Sequence, residues 1–178
     1  MYGFEIEGLR APLLHKMDRY WNRLCMGGRL PRKAAIDPAD IKSLLPYLSV
    51  ADHIGQPPRF RFRLVGTEVA KINSLDFTGR WLDEIEFGNP DVDWAALYSL
   101  VDVERRPVYG RSLLIGAAGD RFEYEFGLFP LSDDGARTSH TLGFEDFSGV
   151  GRQFGATWCK SVLRPPAPPQ PSSLLSTR

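Results

Sequence analysis

Phe60-Arg61-Phe62-Arg63-Leu64-Val65-Gly66-Thr67, followed ten residues on by Phe77-Thr78-Gly79, is the stretch whose reading decides the fold. Side chains alternate along a strand, so Phe60, Phe62 and Leu64 are expected on one face and Arg59, Arg61 and Arg63 on the other. Gly66 breaks the strand, and Thr67 is placed to cap a short helix over 68–73. A strand feeding short helices in this way builds one wall of a pocket.

Upstream, Leu13, Leu14, Met17, Trp21 and Leu24 recur at helical spacing, with polar residues on the other side. Pro12 suits a first helical turn and Gly27-Gly28 an end. Asp37-Pro38 opens a second expected helix with Ile41, Leu44 and Leu45 buried, stopped by Pro46. Strands are expected over 47–54 and 59–65, short helices over 68–73 and 82–85, and a longer helix over 92–105. Three further strands over 108–115, 122–131 and 140–147 are joined by turns rich in Gly, Asp and Ser at 116–120 and 132–137. This order fits an α+β domain, with helices on one face of an antiparallel sheet. It divides the chain into an N-terminal tail over 1–12, a domain over 13–147, and an extension over 148–178. The run Arg164-Pro165-Pro166-Ala167-Pro168-Pro169-Gln170-Pro171 makes that extension disordered from about 164.

The totals exclude several classes. In 178 residues, Lys plus Arg and Asp plus Glu both count 22, so no net field draws the chain to nucleic acid. Two cysteines, Cys25 and Cys159, make neither a disulfide framework nor a CxxC metal site. No apolar run approaches the roughly 18 residues of a membrane helix. The N-terminal residues, with Glu5 and Glu7, do not resemble a signal peptide. A soluble cytoplasmic protein is expected.

The ordered set Tyr20-Trp21, Leu30-Pro31-Arg32, Ile36-Asp37-Pro38, Leu44-Leu45-Pro46, Arg61 to Thr67, Phe77-Thr78-Gly79, Arg106-Pro107-Val108-Tyr109 and Pro130 to Gly135 resembles the PAS-domain superfamily. Within it, the likeness is to the short bacterial single-domain group once catalogued as a domain of unknown function, over about residues 14–147. The resemblance implies a five-stranded antiparallel sheet with a pocket between it and the helices, and a sensing or partner-binding role, commonly as dimers. It also implies what to look for. A haem-binding member would carry a histidine on the long helix, and 92–105 has none. A flavin-binding member would carry a cysteine in the helical region between the second and third strands, and no cysteine occurs between Cys25 and Cys159. Haem and flavin are therefore disfavoured, which leaves an unidentified small ligand.

No nucleophile elbow, phosphate loop or HExxH occurs, and His15, His53 and His140 are scattered, as surface or partly buried histidines. Glu123, Glu125, Glu145 and Asp146 read as solvated acids or as a carboxylate pair for acid–base work. The aromatic residues Phe62, Trp81, Trp94, Tyr109, Tyr124 and Phe144 are the candidate ligand contacts. Leu14, Met17, Trp21 and Leu24 on the first helix are candidates for a homodimer contact or for packing on the chain's own sheet. Arg61 and Arg63 are either solvated edge charges, a docking face for an acidic protein, or an anion site. The leading expectation is a non-catalytic PAS-type regulator acting through a small ligand or signalling partners, without nucleic acid or membrane insertion. The competing one is a small enzyme acting on a hydrophobic metabolite with Asp52, Glu145 or Asp146 as base.

Overall fold

The computed structural model describes residues 2–87, 89, 91–115, 121–147 and 162–163. In chain order these form β1 (Tyr2–Gly3), α1 (Pro12–Leu24), β2 (Leu48–Ile54), β3 (Arg59–Val65), α2 (Thr67–Ile72), β4 (Ile85–Glu86), α3 (Trp94–Glu104), β5 (Val108–Ile115), β6 (Arg121–Leu131), β7 (His140–Asp146) and β8 (Val162–Leu163). The large sheet runs β1-β5-β6-β7-β2-β3 with every pairing antiparallel, and β4 pairs separately with β8. All five expected strands are present. A sixth, β1, lengthens the sheet at the β5 edge by setting Tyr2 opposite Gly110 and Gly3 opposite Tyr109. The turn at 116–120 and the proline-rich stretch from 164 lie outside the described residues.

Alternation along β6 and β7 sends side chains to two separate cores. Tyr124, Phe126 and Leu128 face α2 and α3, and Phe129, Leu131, Leu142 and Phe144 face α1. A strand buried on both faces reads as a continuous apolar run. Pro130 is tolerated inside β6 because β5 has ended opposite Leu128. Its missing N–H therefore faces no strand, and its carbonyl accepts the Trp21 indole N–H at 2.9 Å.

Helix α1 lies on this outer face. Leu14 and Met17 are fully buried, Trp21 nearly so, and the Trp21 ring packs on Phe129. Gly127 makes the approach possible, since a Cβ there would sit 2.9 Å from the Leu14 side chain. The helix begins at Ala11, which has no capping side chain. Its free N–H groups are taken by the sheet instead. Arg10 and Ala11 donate to Glu125 Oε2 at 2.7 Å, and Leu13 and Leu14 donate to Asp146 Oδ2 at 3.0 and 3.3 Å.

Three expectations are corrected here. The second helix is absent: 38–44 is a run of turns, leading into a 3-10 turn at Leu45–Tyr47. Asp37 accepts the Ala39 N–H instead, a local side-chain bond that competes with helical pairing. Ile41 and Leu44 are nevertheless buried as expected. Leu64 does not share the face of Phe60 and Phe62. A register shift sets Val50 opposite Leu64 but Ala51 opposite Phe62. This bulge turns Leu64 outward, 47% exposed, and Val65 inward against the core. Finally, Gly66, not Thr67, occupies the cap position of α2, with no side-chain hydrogen bond.

Candidate functional site

Between the sheet and the arch made by α2, the 3-10 turn at Leu82–Glu84 and α3 lies a cavity of about 30 Å³, room for roughly two waters. Five successive ring contacts run round it. Tyr98 meets Phe62 at 6.1 Å, Phe62 meets Phe77 at 4.6 Å, Phe77 meets Phe87 at 5.6 Å, Phe87 meets Trp94 at 5.9 Å, and Trp94 meets Phe126 at 4.9 Å. These spacings are those of favourable aromatic pairs.

The polar groups of the lining are few and mostly committed. Asn73 donates to the Val69 carbonyl at 2.9 Å and Asn89 to Ser112 Oγ at 3.0 Å. Burial raises the Tyr98 hydroxyl pKa well above its usual value, the charge of Glu145 adds to that, and a hydrogen bond with Ser49 opposes it. Two groups stand out. The Trp94 indole N–H is buried with no acceptor among the described residues. Glu145 lies directly opposite Phe126 across the β6–β7 ladder and lines the cavity. Burial pushes its carboxyl up to about 7, against a hydrogen bond with Tyr124 that works the other way. Gly143, two residues earlier on the same face, keeps this side open: a Cβ there would meet Ser49 Oγ at 2.6 Å.

Of the expected ligand contacts, Phe62, Trp94 and Tyr124 come together in this lining. The other three lie elsewhere. Trp81 is outside the cavity, with the Arg59 guanidinium 4.2 Å from its ring centre and Arg61 at 5.9 Å. Tyr109 and Phe144 belong to the outer core beneath α1. The Tyr109 hydroxyl donates to Asp18 Oδ1 at 2.5 Å, and Phe144 packs on Tyr47. The parity of β7 is thus the reverse of the expected one: Gly143 and Glu145 face the cavity, and Phe144 and Asp146 face α1. Sequence reading missed Ser49, Asn73, Phe77, Phe87, Asn89 and Tyr98. The signal available for Glu145 was Phe147, an aromatic residue two positions on.

The expected partner residues are also placed. Leu14, Met17 and Trp21 are spent on the chain's own sheet, and Leu24 is partly buried beside them. Arg63 holds Asp52 through both nitrogens and Arg59 holds Asp83, so two of the three stripe arginines are neutralised within the chain. Arg61 donates to the Gly79 carbonyl and has no carboxylate partner among the described residues.

A second polar cluster ties β2, β7 and α3 together. His140, expected at the surface or partly buried, is buried, with Nδ1 2.8 Å from Asp52 and Nε2 3.0 Å from Asp133. His53 Nδ1 donates to Asp102 at 3.0 Å, and its Nε2 lies 2.8 Å from the Thr141 hydroxyl. Burial lowers the His53 pKa more than Asp102 raises it. For Asp52, burial acts upward but the hydrogen bonds from Arg63 and His140 prevail and hold the carboxyl below its usual range. These interlocked pairs leave no free base. Among the described residues no group of three or more His, Cys, Asp or Glu is arranged to hold a metal. A flavin-sized ring system does not fit the cavity as it stands, and no cysteine lines it.

A family model described as a PAS domain matches residues 9–144. No curated protein matches the chain. One similar solved structure is described as "Structure of an RNA-binding Light-Oxygen-Voltage Receptor". It is 19% identical, with a TM-score of 0.42, over 66% of this chain and 36% of that one. The chain therefore spans about a third of that structure's length.

Proposed function

The chain belongs to the PAS-domain family, and we propose that it works as a non-catalytic sensor module whose ligand site is the cavity around Trp94 and Glu145. The observation that carries this reading is a buried indole N–H without an acceptor among the described residues, in the same cavity lining as a buried carboxyl. Buried polar groups without partners are costly, so a molecule that satisfies them stabilises the state that holds it. Ligand binding then shifts the population of conformers offered to protein partners of a signalling pathway. Such partners meet the outward side of α1 and the exposed Arg61. A homodimer through the Leu14, Met17 and Trp21 stripe would require α1 to leave its own sheet.

The two indoles provide the test. In a heteronuclear NMR titration of the full chain with candidate metabolites, a cavity ligand moves the Trp94 Nε1–H resonance. It leaves that of Trp21, bonded to Pro130 on the opposite face, in place. Metabolites that stabilise the protein without moving the Trp94 signal would refute this location.

A second reading has one specific observation in its favour. Glu145 is an inward-facing acid with a pKa near neutrality beside two tyrosines, the conditions for a general base acting on a hydrophobic metabolite. Asp52 and Asp146 drop out, being held by Arg63 and His140 and by α1. This reading requires turnover by the native chain that disappears in Glu145→Gln.

A further inference from the structure

The aromatic series round the cavity ends at Tyr98 on one side and Phe126 on the other, and Glu145 stands at both ends. It is the cross-strand partner of Phe126, and its charge acts on the Tyr98 hydroxyl. A series of aromatic rings with one carboxyl at its ends is a chemically specific enclosure. Aromatic faces carry negative electrostatic potential and attract cations, most strongly where water is excluded. The carboxyl supplies the one full charge. We propose that this cavity takes the ammonium group of a small primary amine, paired with Glu145 and enclosed by Phe62, Trp94, Tyr98 and Phe126. The proposal rests on the reading of the cavity as the ligand site and adds the chemical class.

Charge in the lining argues the same way. The described residues that line the cavity include no lysine, arginine or histidine. The groups that face Glu145 are Tyr124 from β6 and Tyr98 from α3, and neither is a cation. An ionised Glu145 therefore has no cation of the protein's own among the described lining residues. A ligand cation is what would let it ionise at low cost, since a buried charge is tolerated when paired and hydrogen-bonded. The Trp94 N–H asks in addition for an oxygen. An amine bearing a hydroxyl, or a water carried beside it, fills that need. Volume sets the size: about 30 Å³ admits an ammonium with one or two further non-hydrogen atoms.

The carboxyl, raised to about 7, is partly protonated at neutral pH. Ammonium binding selects the ionised form, so affinity rises with pH and binding releases a proton from Glu145 to solvent.

The experiment is calorimetric titration of the full chain with methylammonium chloride. Sodium chloride at equal ionic strength and neutral methanol serve as comparisons. The expected result is binding of methylammonium only, with affinity rising about thirtyfold from pH 5.5 to pH 8 and falling about tenfold in Glu145→Gln, a change of about 1.4 kcal/mol. Trp94→Phe, which keeps the carboxyl, leaves methylammonium affinity within about twofold, a contrast with Glu145→Gln that loss of folding would not produce. Methanol binding as well as methylammonium, or unchanged methylammonium affinity in Glu145→Gln, overturns the proposal. If methylammonium does not bind but the purified chain carries a neutral or anionic compound that moves the Trp94 signal, the amine falls and the sensor reading stands. If methylammonium does not bind and no compound moves that signal, both fall.

Discussion

Glu145 and Asp146 are neighbours on β7 with their carboxyls on opposite sides of the sheet. Glu145 lies in the cavity, while Asp146 receives the Leu13 and Leu14 N–H groups at the start of α1. One strand thus joins the only carboxyl among the described lining residues to the cap of the helix on the far face. A single peptide unit separates the cavity carboxyl from the carboxyl that caps α1.

The cap can be tested by itself. Asp146→Ala leaves two backbone donors of α1 without their acceptor, and the expected cost is about 1–2 kcal/mol. Asp40→Ala breaks only the exposed pair with Arg23 and should cost about 0–1 kcal/mol. Urea unfolding of the two variants checks the difference.

Stability should carry the signature of Glu145 as a function of pH. Its folded pKa of about 7 lies above the ordinary 4.5, so the folded chain keeps a proton that the unfolded chain releases. Stability therefore falls as pH climbs from about 4.5 to 7. Glu145→Gln removes this slope and is expected to gain on the native chain at pH 8 by a few kcal/mol at most. Denaturation midpoints of both proteins at pH 5.5 and pH 8 measure the difference.

His53 acts at the acid end. Burial sets its folded pKa below 6.5, so the unfolded chain takes up a proton first. This contribution to stability is complete above about 6.5 and is lost as pH falls. An NMR titration should find His53 still neutral at a pH where a model imidazole is half charged. A midpoint at or above 6.5 contradicts its burial.

Helix α1 should behave as part of the core. Trp21→Ala empties a buried site against Phe129 and removes the bond to Pro130, at an expected cost of about 3–5 kcal/mol. Loss of a dimer with unchanged stability would mean that this stripe faces a second copy instead. Gly127→Ala should cost about 1–3 kcal/mol by pressing on Leu14 and Phe129. Gly3→Ala, with open space around it, should be close to neutral.

Local chemistry made much of this fold legible. The alternation of arginine and phenylalanine placed β3 at 59–65, and the apolar runs placed β5 and β6 nearly to the residue. What stayed hidden depended on partners far away in the chain. The bulge opposite Val50 and Ala51 is a property of the β2–β3 register, so Leu64 could not be seen to turn outward from its own neighbours. In β7, Leu142 and Phe144 are buried, as is Phe147 just beyond it, because both faces are covered. Period-two alternation then carries no mark of which face holds the cavity, and Phe144 was exchanged with Glu145. The start of α1 shows the converse case: Ala11 gives no capping signal because the caps, Glu125 and Asp146, come more than a hundred residues later.

The most direct test of the central claim is native mass spectrometry of the freshly purified protein, compared with its denatured mass. The account predicts a small non-covalent adduct that disappears on denaturation and is absent or much reduced in Glu145→Gln. A bare native mass, in a protein whose Trp94 indole resonance also fails to move with any metabolite tested, would contradict it.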